Sequence, residues 1–259
     1  MAGISLLAWN NFVLTSGLTA SSAAMPVSNL TDERGSSSVA WQTVGPSALL
    51  TITPSIKQQT WRVFGLFRTN LTPFATITVT LYSGDLSAPL LTWTGGADGP
   101  EPGYGQAITI AGSDVVADYC TIQIDDPGNP QGFLNIPLAY AGPAWIPETS
   151  LSYDTTFGVD PTISSQVARG GQEYLTFLYS QRRAELAFYG FRHGEIMAQL
   201  AELQRTAARG PNVLVVPDVT SPTFAMEAIY GRVVATADVA FPYAAADRRS
   251  WKARVTERL

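Results

Sequence analysis

The apolar and polar positions in the first 145 residues follow the pattern of β-strands. Six short segments alternate with a period of two and are separated by Gly, Pro, Ser and Asn. In residues 76–82, Ile77, Val79 and Leu81 fall on one side and three threonines on the other, as in a strand with one buried face. The predicted strands are residues 49–53, 60–67, 76–82, 106–110, 119–124 and 133–136. Short strands joined by loops rich in Gly and Pro predict an antiparallel β-sandwich.

The second part of the chain alternates strand, helix and strand patterns. Residues 174–179 and 184–189 each have a period of two and flank the polar segment 180–183, which predicts a β-hairpin. Further strands are predicted at residues 163–169, 226–236 and 248–257.

A helix is predicted at about residues 194–209, because the period changes there. Ile196, Leu200 and Leu203 fall on one stripe, and Gly210-Pro211 ends the helix. The continuous apolar run 212–217 that follows predicts a strand buried on both faces.

The density of Pro and Gly in residues 141–147 indicates a linker. We therefore predict two domains, residues 1–145 and residues 146–259. The fold class is mainly β, with an N-terminal jelly-roll sandwich and a C-terminal β domain that carries one helix.

The charge of the chain argues against nucleic-acid binding. It contains 21 acidic and 16 basic residues, which gives a net charge of −5. Residues 1–145 hold nine acids and four bases, whereas residues 146–259 hold twelve of each. Phosphate binding needs clustered Lys and Arg, which this sequence lacks. No apolar run approaches the roughly 20 residues of a membrane helix, so membrane insertion is not expected.

The residue types that carry catalysis are scarce. The chain has one cysteine, Cys120, and one histidine, His193, so few routes lead to an activated nucleophile. Asp98 and Glu101 in a Gly-rich loop leave a glycosidase as the less favoured alternative. Asp125, Asp126 and Asn129 could bind Ca²⁺, although Asp-Pro-Gly is ordinary turn chemistry. We predict no catalytic residues, no metal and no cofactor.

The order of features in the first part resembles the discoidin-like, galactose-binding-like jelly rolls of tailed-phage structural proteins. The second part is similar to tail-tube-like modules and distal tail proteins. The segments that carry the first resemblance are residues 26–32, Trp41, the strand through Trp61 that ends at residues 68–70, residues 124–129 and residues 132–133. The segments that carry the second are residues 213–218 and 227–231.

This resemblance implies a non-enzymatic structural component of a phage tail tip or baseplate, made in the host cytoplasm and located in the virion tail. It implies a ring of identical copies, a trimer or hexamer, in contact with other tail proteins. We expect the contacts between copies to lie in residues 146–259. The candidate interface residues are Trp251, Lys252, Arg254 and Arg258.

The alternative hypothesis is a glycan-binding module, which would bind a host surface glycan. Lectins of this kind stack loop aromatics on sugar rings, and Trp41, Trp93 and Tyr104 are the candidates. The competing interpretation is that these aromatic residues close the ends of a small sandwich.

Overall fold

Strands dominate the computed structural model, which describes residues 4–84, 89–96, 105–240 and 248–258, without the side chains of His193, Ile196, Met197 and Ala237. The strands are β1 (Leu6–Ala8), β2 (Gly17–Ala20), β3 (Trp41–Gln42), β4 (Ser47–Thr53), β5 (Gln59–Thr69), β6 (Thr76–Tyr82), β7 (Pro89–Gly96), β8 (Gly105–Ala117), β9 (Tyr119–Asp125), β10 (Asn135–Ile136), β11 (Leu138–Gly142), β12 (Thr156–Val167), β13 (Glu173–Arg192), β14 (Val213–Val216), β15 (Ile229–Ala240) and β16 (Arg248–Glu257). The helices are α1 (His193–Glu195), α2 (Ala201–Ala208) and α3 (Phe224–Glu227), with a π-helical turn at Ile196–Leu200 and 3₁₀ turns at Phe12–Leu14, Val27–Thr31 and Ser37–Val39.

The contacts within the chain divide it into two compact units. The sandwich unit contains residues 4–146 and 214–228, and the arm unit contains residues 147–213 and 229–258. Residues 214–228 were assigned to the second domain by the sequence analysis, whereas their contacts place them with the N-terminal residues. That the chain folds as two independent domains, divided between residues 145 and 146, stays a prediction.

The sandwich unit is built from a five-stranded and a three-stranded antiparallel sheet. The strand orders are β2-β4-β9-β6-β7 and β11-β5-β8. Both sheets contribute buried side chains to one core, among them Leu50 and Val79 from the first and Trp61 and Phe64 from the second. The predicted mainly β class and the N-terminal antiparallel sandwich are confirmed.

The alternation that predicted the clearest strand is seen directly in β6. Ile77, Val79 and Leu81 are buried in the core. On the opposite side, Thr78 and Thr80 lie beside threonines of β7, with hydroxyl oxygens 3.3 Å apart in both pairs. The bounds of β6 are those that the sequence predicted.

The arm unit contains an antiparallel sheet with strand order β15-β16-β13-β12. Phe188 of β13 lies opposite Trp251 of β16, and Leu186 lies opposite Ala253. These four side chains are buried. The helical segment runs from His193 to Ala208 as predicted, although it contains a π-helical turn. Leu200 and Leu203 of the predicted apolar stripe are buried.

The hairpin predicted within residues 174–189 is wrong. Residues 173–192 form the single strand β13, and the hairpin instead joins β12 to β13 through a turn at residues 168–172. The polar residues that suggested a turn are paired across the sheet. Arg182 binds Glu257, and Arg183 lies 3.2 Å from Asp160. The strand therefore continues through them.

Two other strand boundaries also need correction. The strand predicted at 163–169 begins earlier, at Thr156. It can include Pro161, because β12 is the edge strand of the sheet and a missing N–H is tolerated there. The strand predicted from residue 226 begins at Ile229, because Phe224–Glu227 form the helix α3.

Candidate interaction surfaces

Of the three aromatic residues proposed as a sugar platform, Trp41 and Trp93 lie within the described residues. Trp41 is fully buried, and its indole N–H donates to the carbonyl oxygen of Ser22 at 3.0 Å. Trp93 is partly buried against the core, with its ring centroid 5.8 Å from that of Phe64. Tyr104 lies outside the described residues. Trp41 therefore has no exposed face to offer a sugar, and a platform that includes it does not form here.

The carboxylates considered as calcium ligands bind protein donors instead. The Asp126 carboxylate is fully buried and accepts from the backbone N–H of Thr72 at 2.9 Å, from the Thr72 hydroxyl at 2.6 Å and from the Asn129 amide at 3.0 Å. Asp125 accepts from Ser47 and Gln123. Within residues that the structure describes, no three His, Cys, Asp or Glu side chains are grouped as metal ligands. Asp126 and Asn129 therefore connect loops.

The residues considered for catalysis are either buried or outside the described residues. Cys120 is fully buried, and burial raises the pKa of its thiol well above the usual value. The reactive thiolate is therefore disfavoured. Asp98 and Glu101 lie outside the described residues, as does the side chain of His193.

The candidate interface residues on β16 divide between the two faces of the strand. Trp251 is buried in the arm unit, with its ring stacked 6.0 Å from Phe188. Its place in an interface between copies stays a prediction. Lys252 and Arg254 lie on the exposed face. The Lys252 ammonium lies 5.6 Å from the centre of the Tyr189 ring, and Arg254 forms an ion pair with Glu185. Arg258 is partly buried, and its backbone N–H donates to Tyr230.

A two-stranded arm carries many of the exposed apolar side chains. We call residues 156–182 the arm. From Val159 onwards it is two-stranded, because β13 pairs with β16 only from Arg183 onwards, whereas residues 156–158 at its base lie opposite residues 183–185. The arm supplies nine of the twenty large apolar side chains that are exposed in the described residues. They are Phe157, Val159, Ile163, Val167, Tyr174, Leu175, Phe177, Leu178 and Tyr179. Two-stranded ribbons are marginally stable in water by themselves, so this surface needs an explanation.

The end of the arm is polar and tightly turned. The backbone N–H of Ala168 donates to the carbonyl oxygen of Gln172 at 2.8 Å, and Gly171 adopts a φ of 83°, which favours glycine. Ser165 donates to Glu173 at 2.6 Å. The apolar surface therefore lies along the length of the arm.

A second exposed feature lies at one end of the sandwich. Phe74, in the loop between β5 and β6, is 85% exposed. Hydrogen bonds anchor this loop to the sandwich unit. Thr72 donates twice to the buried Asp126, and the Thr72 hydroxyl accepts from the backbone N–H of Phe74 at 3.3 Å. An aromatic ring is thus presented to solvent on an anchored loop.

Solved structures similar to this chain are carbohydrate-binding modules and a lectin. Chitosan-binding module 1 of a chitosanase/glucanase from Paenibacillus sp. IK-5 has 18% identity and a TM-score of 0.39, covering 52% of this chain and 99% of that chain. The family 32 module of C. perfringens NanJ, solved with galactose, has 13% identity and a TM-score of 0.40, covering 54% and 99%. A fucolectin from the serum of Morone saxatilis has 9% identity and a TM-score of 0.39, covering 73% and 75%.

No protein-family model and no curated protein matches the chain. These identities and TM-scores are low, so the ligands of those proteins do not indicate what this chain binds. None of the three is described as a phage tail protein, and that resemblance stays a hypothesis. Among the described residues, the helices are too short or too polar to cross a membrane.

The arm and Phe74 were both missed by the sequence analysis. A signal for the arm was present, since Phe157, Val159 and Ile163 alternate with Gly158, Asp160 and Thr162. Pro161 interrupts this alternating pattern, and proline usually argues against a strand. The exposure of Phe74 had no local signal.

Proposed function

We propose that this protein is a non-enzymatic structural protein that works by assembling with copies of itself. The observation that carries this proposal is the arm, which exposes nine large apolar side chains to solvent. Taking about 200 Å² for a free aromatic side chain and about 100 Å² for an aliphatic one, the nine exposed fractions leave on the order of 700 Å² uncovered. Six of these side chains lie on one face of the arm and expose on the order of 500 Å². The largest apolar patch of a typical monomer is roughly 300–600 Å² and is often functional.

The biological setting that we propose is the tail tip or baseplate of a phage virion. It rests on the sequence resemblance, which also suggests a ring of three or six copies beside other tail proteins. The charge balance of residues 146–259 also supports a role in assembly, since these residues carry twelve acids and twelve bases and would not repel identical copies.

We expect the full chain to form a discrete oligomer in solution. The measurement is size-exclusion chromatography with light scattering over a wide range of protein concentrations. Because the arm surface is apolar, the oligomer should persist when the salt concentration is raised, whereas an assembly held by surface ion pairs should weaken. A monomeric chain at every concentration would contradict the proposal.

A second candidate function is glycan binding, and Phe74 is the observation that favours it. Carbohydrate-binding proteins stack aromatic rings on sugars, and this ring is 85% exposed on an anchored loop. This hypothesis moves the predicted site from Trp41 and Trp93 to Phe74.

We expect that, if a glycan binds the sandwich, Phe74→Ala weakens binding at least about tenfold, since stacking is lost. The matched control is Ile56→Ala, because Ile56 is 70% exposed in the loop that precedes β5, at the opposite end of that strand from Phe74. A glycan array followed by calorimetry would measure this. Binding that is equally strong in both variants would exclude Phe74 as the site.

A further inference from the structure

The register of the arm separates its two faces by chemistry. Residues directly opposite each other in antiparallel strands lie on the same face, and Ile163 lies opposite Phe177. Alternation along β12 and β13 adds four more apolar residues to this side. The apolar face of the arm consists of Phe157, Val159, Ile163, Val167, Leu175 and Phe177. The opposite face is mainly polar and includes Ser164, which lies opposite Thr176, and Gln166, which lies opposite Tyr174.

The apolar face continues the buried face of the sheet. Phe157 lies opposite Ala184, and the next two residues on the same side of β13 are Leu186 and Phe188. Ala184, Leu186 and Phe188 are buried in the core of the arm unit, whereas Phe157 is 54% exposed. The same side of one strand pair is therefore covered at one end and uncovered along the arm.

The open edge of β12 is a poor place for another strand to pair. β12 is the last strand of its sheet, but Pro161 removes a backbone donor from the middle of it. Asp160, beside it, is held in an ion pair with Arg183. Proline and charged residues on an edge strand are features that prevent edge-to-edge pairing. A partner is therefore better accommodated on the face than on the edge.

The area of the apolar face is sufficient for a specific contact. With the side-chain areas used above, its six residues expose on the order of 500 Å². A surface of similar size on a partner brings the total to about 1,000 Å², which is the lower limit for specific protein interfaces.

The occupant of this face is better explained as a protein than as a lipid. Arg169 and Glu173 are exposed at the end of the arm, where they would have to enter a membrane first. The ionised residues on this face are Arg182, which forms an ion pair with Glu257, and Glu173 at the end of the arm, which accepts a hydrogen bond from Ser165. A second copy would meet no net repulsion, because residues 146–259 hold twelve acids and twelve bases.

We infer that a second copy of this chain covers the apolar face of the arm, and that the contact uses this face and not the edge of β12 or the polar face. The inference rests on the proposed function, because it names the surface by which the copies assemble.

The test compares two double variants of the full chain by light scattering. In one, Leu175→Ser and Phe177→Ser remove apolar side chains that are 63% and 60% exposed. In the matched control, Tyr174→Ser and Tyr179→Ser remove two aromatics from the opposite face of the same strand. We expect the first variant to raise the dissociation constant at least about a hundredfold and the control to change it less than about fivefold. Circular dichroism should be unchanged in both, since all four residues are exposed.

A second measurement uses neighbouring serines on opposite faces. An environment-sensitive fluorophore attached at Ser165→Cys should shift to shorter wavelength as the protein assembles, whereas the same label at Ser164→Cys should not. The native Cys120 is buried and should not be labelled. Assembly by the wild-type chain with no effect of Leu175→Ser and Phe177→Ser, and no shift at residue 165, would overturn this inference and leave the proposed function intact. A monomeric wild-type chain would overturn both.

Discussion

Replacing Trp61 with alanine is expected to lower the free energy of unfolding of the sandwich unit by about 3–5 kcal/mol, the range for a fully buried large aromatic residue. Trp61 is fully buried on β5, the central strand of the three-stranded sheet. Its ring lies 6.0 Å from Phe64 in a stacked arrangement and 4.9 Å from Phe12 edge-on. Its indole N–H donates to the carbonyl oxygen of Ala117 at 3.1 Å. The substitution therefore opens a cavity and leaves that acceptor without this donor.

The measurement is urea denaturation followed by circular dichroism, with Phe74→Ala as the matched control. Phe74 is also an aromatic residue of the sandwich unit but is 85% exposed, so its loss should change the free energy of unfolding by less than about 0.5 kcal/mol. If the two variants lost similar stability, the position of Trp61 in the core described above would be wrong.

Strands of the sandwich unit could be predicted from the sequence because local alternation and final burial coincide there. In β6, each apolar residue faces the common core and each threonine faces the other side. A pattern seven residues long is therefore enough to predict both the strand and its buried face. The helix at residues 193–208 was predictable for a similar reason, since its buried residues Leu200 and Leu203 lie three positions apart, on one face of a helix.

The length of β13 could not be predicted, because its polar segment is explained by residues far away in the chain. Arg182 is paired with Glu257, 75 positions later, and Arg183 with Asp160 on the neighbouring strand. Without these partners, the four polar residues at 180–183 are typical of a break. The arm depends on this continuous strand, so it could not be predicted either.

The candidate sites depended even more on contacts that are distant in sequence. Trp41 has the residue type for sugar stacking, but its burial is decided by packing in the sandwich core. Asp126 has the residue type for calcium, but the two donors of Thr72 that occupy it are 54 positions away. Residue type therefore limits what a site can do, and the tertiary partners decide what it does.

Replacing Asp126 with alanine is expected to lower the free energy of unfolding of the sandwich unit by about 2–4 kcal/mol. The carboxylate is fully buried and accepts three hydrogen bonds, two from Thr72 and one from Asn129. Hydrogen bonds to a charged group contribute about 1.5–3 kcal/mol, and donors left unpaired in a buried site cost about as much. The loop that carries Phe74 should also lose its anchor.

The control for this prediction is Asp114→Ala, which removes a carboxylate of the same size from the surface. Asp114 is 61% exposed and lies 3.3 Å from Arg62, and exposed ion pairs contribute at most about 1 kcal/mol. Asp126→Asn should have an intermediate effect, because one of its two acceptor oxygens remains. In urea denaturation, Asp126→Ala should therefore lose the most free energy of unfolding. Asp126→Asn should lose less, and Asp114→Ala should lose the least. A stabilising effect of Ca²⁺ on the wild-type chain that disappears in Asp126→Asn would instead support a metal site and contradict the role of Asp126 as a connector of loops.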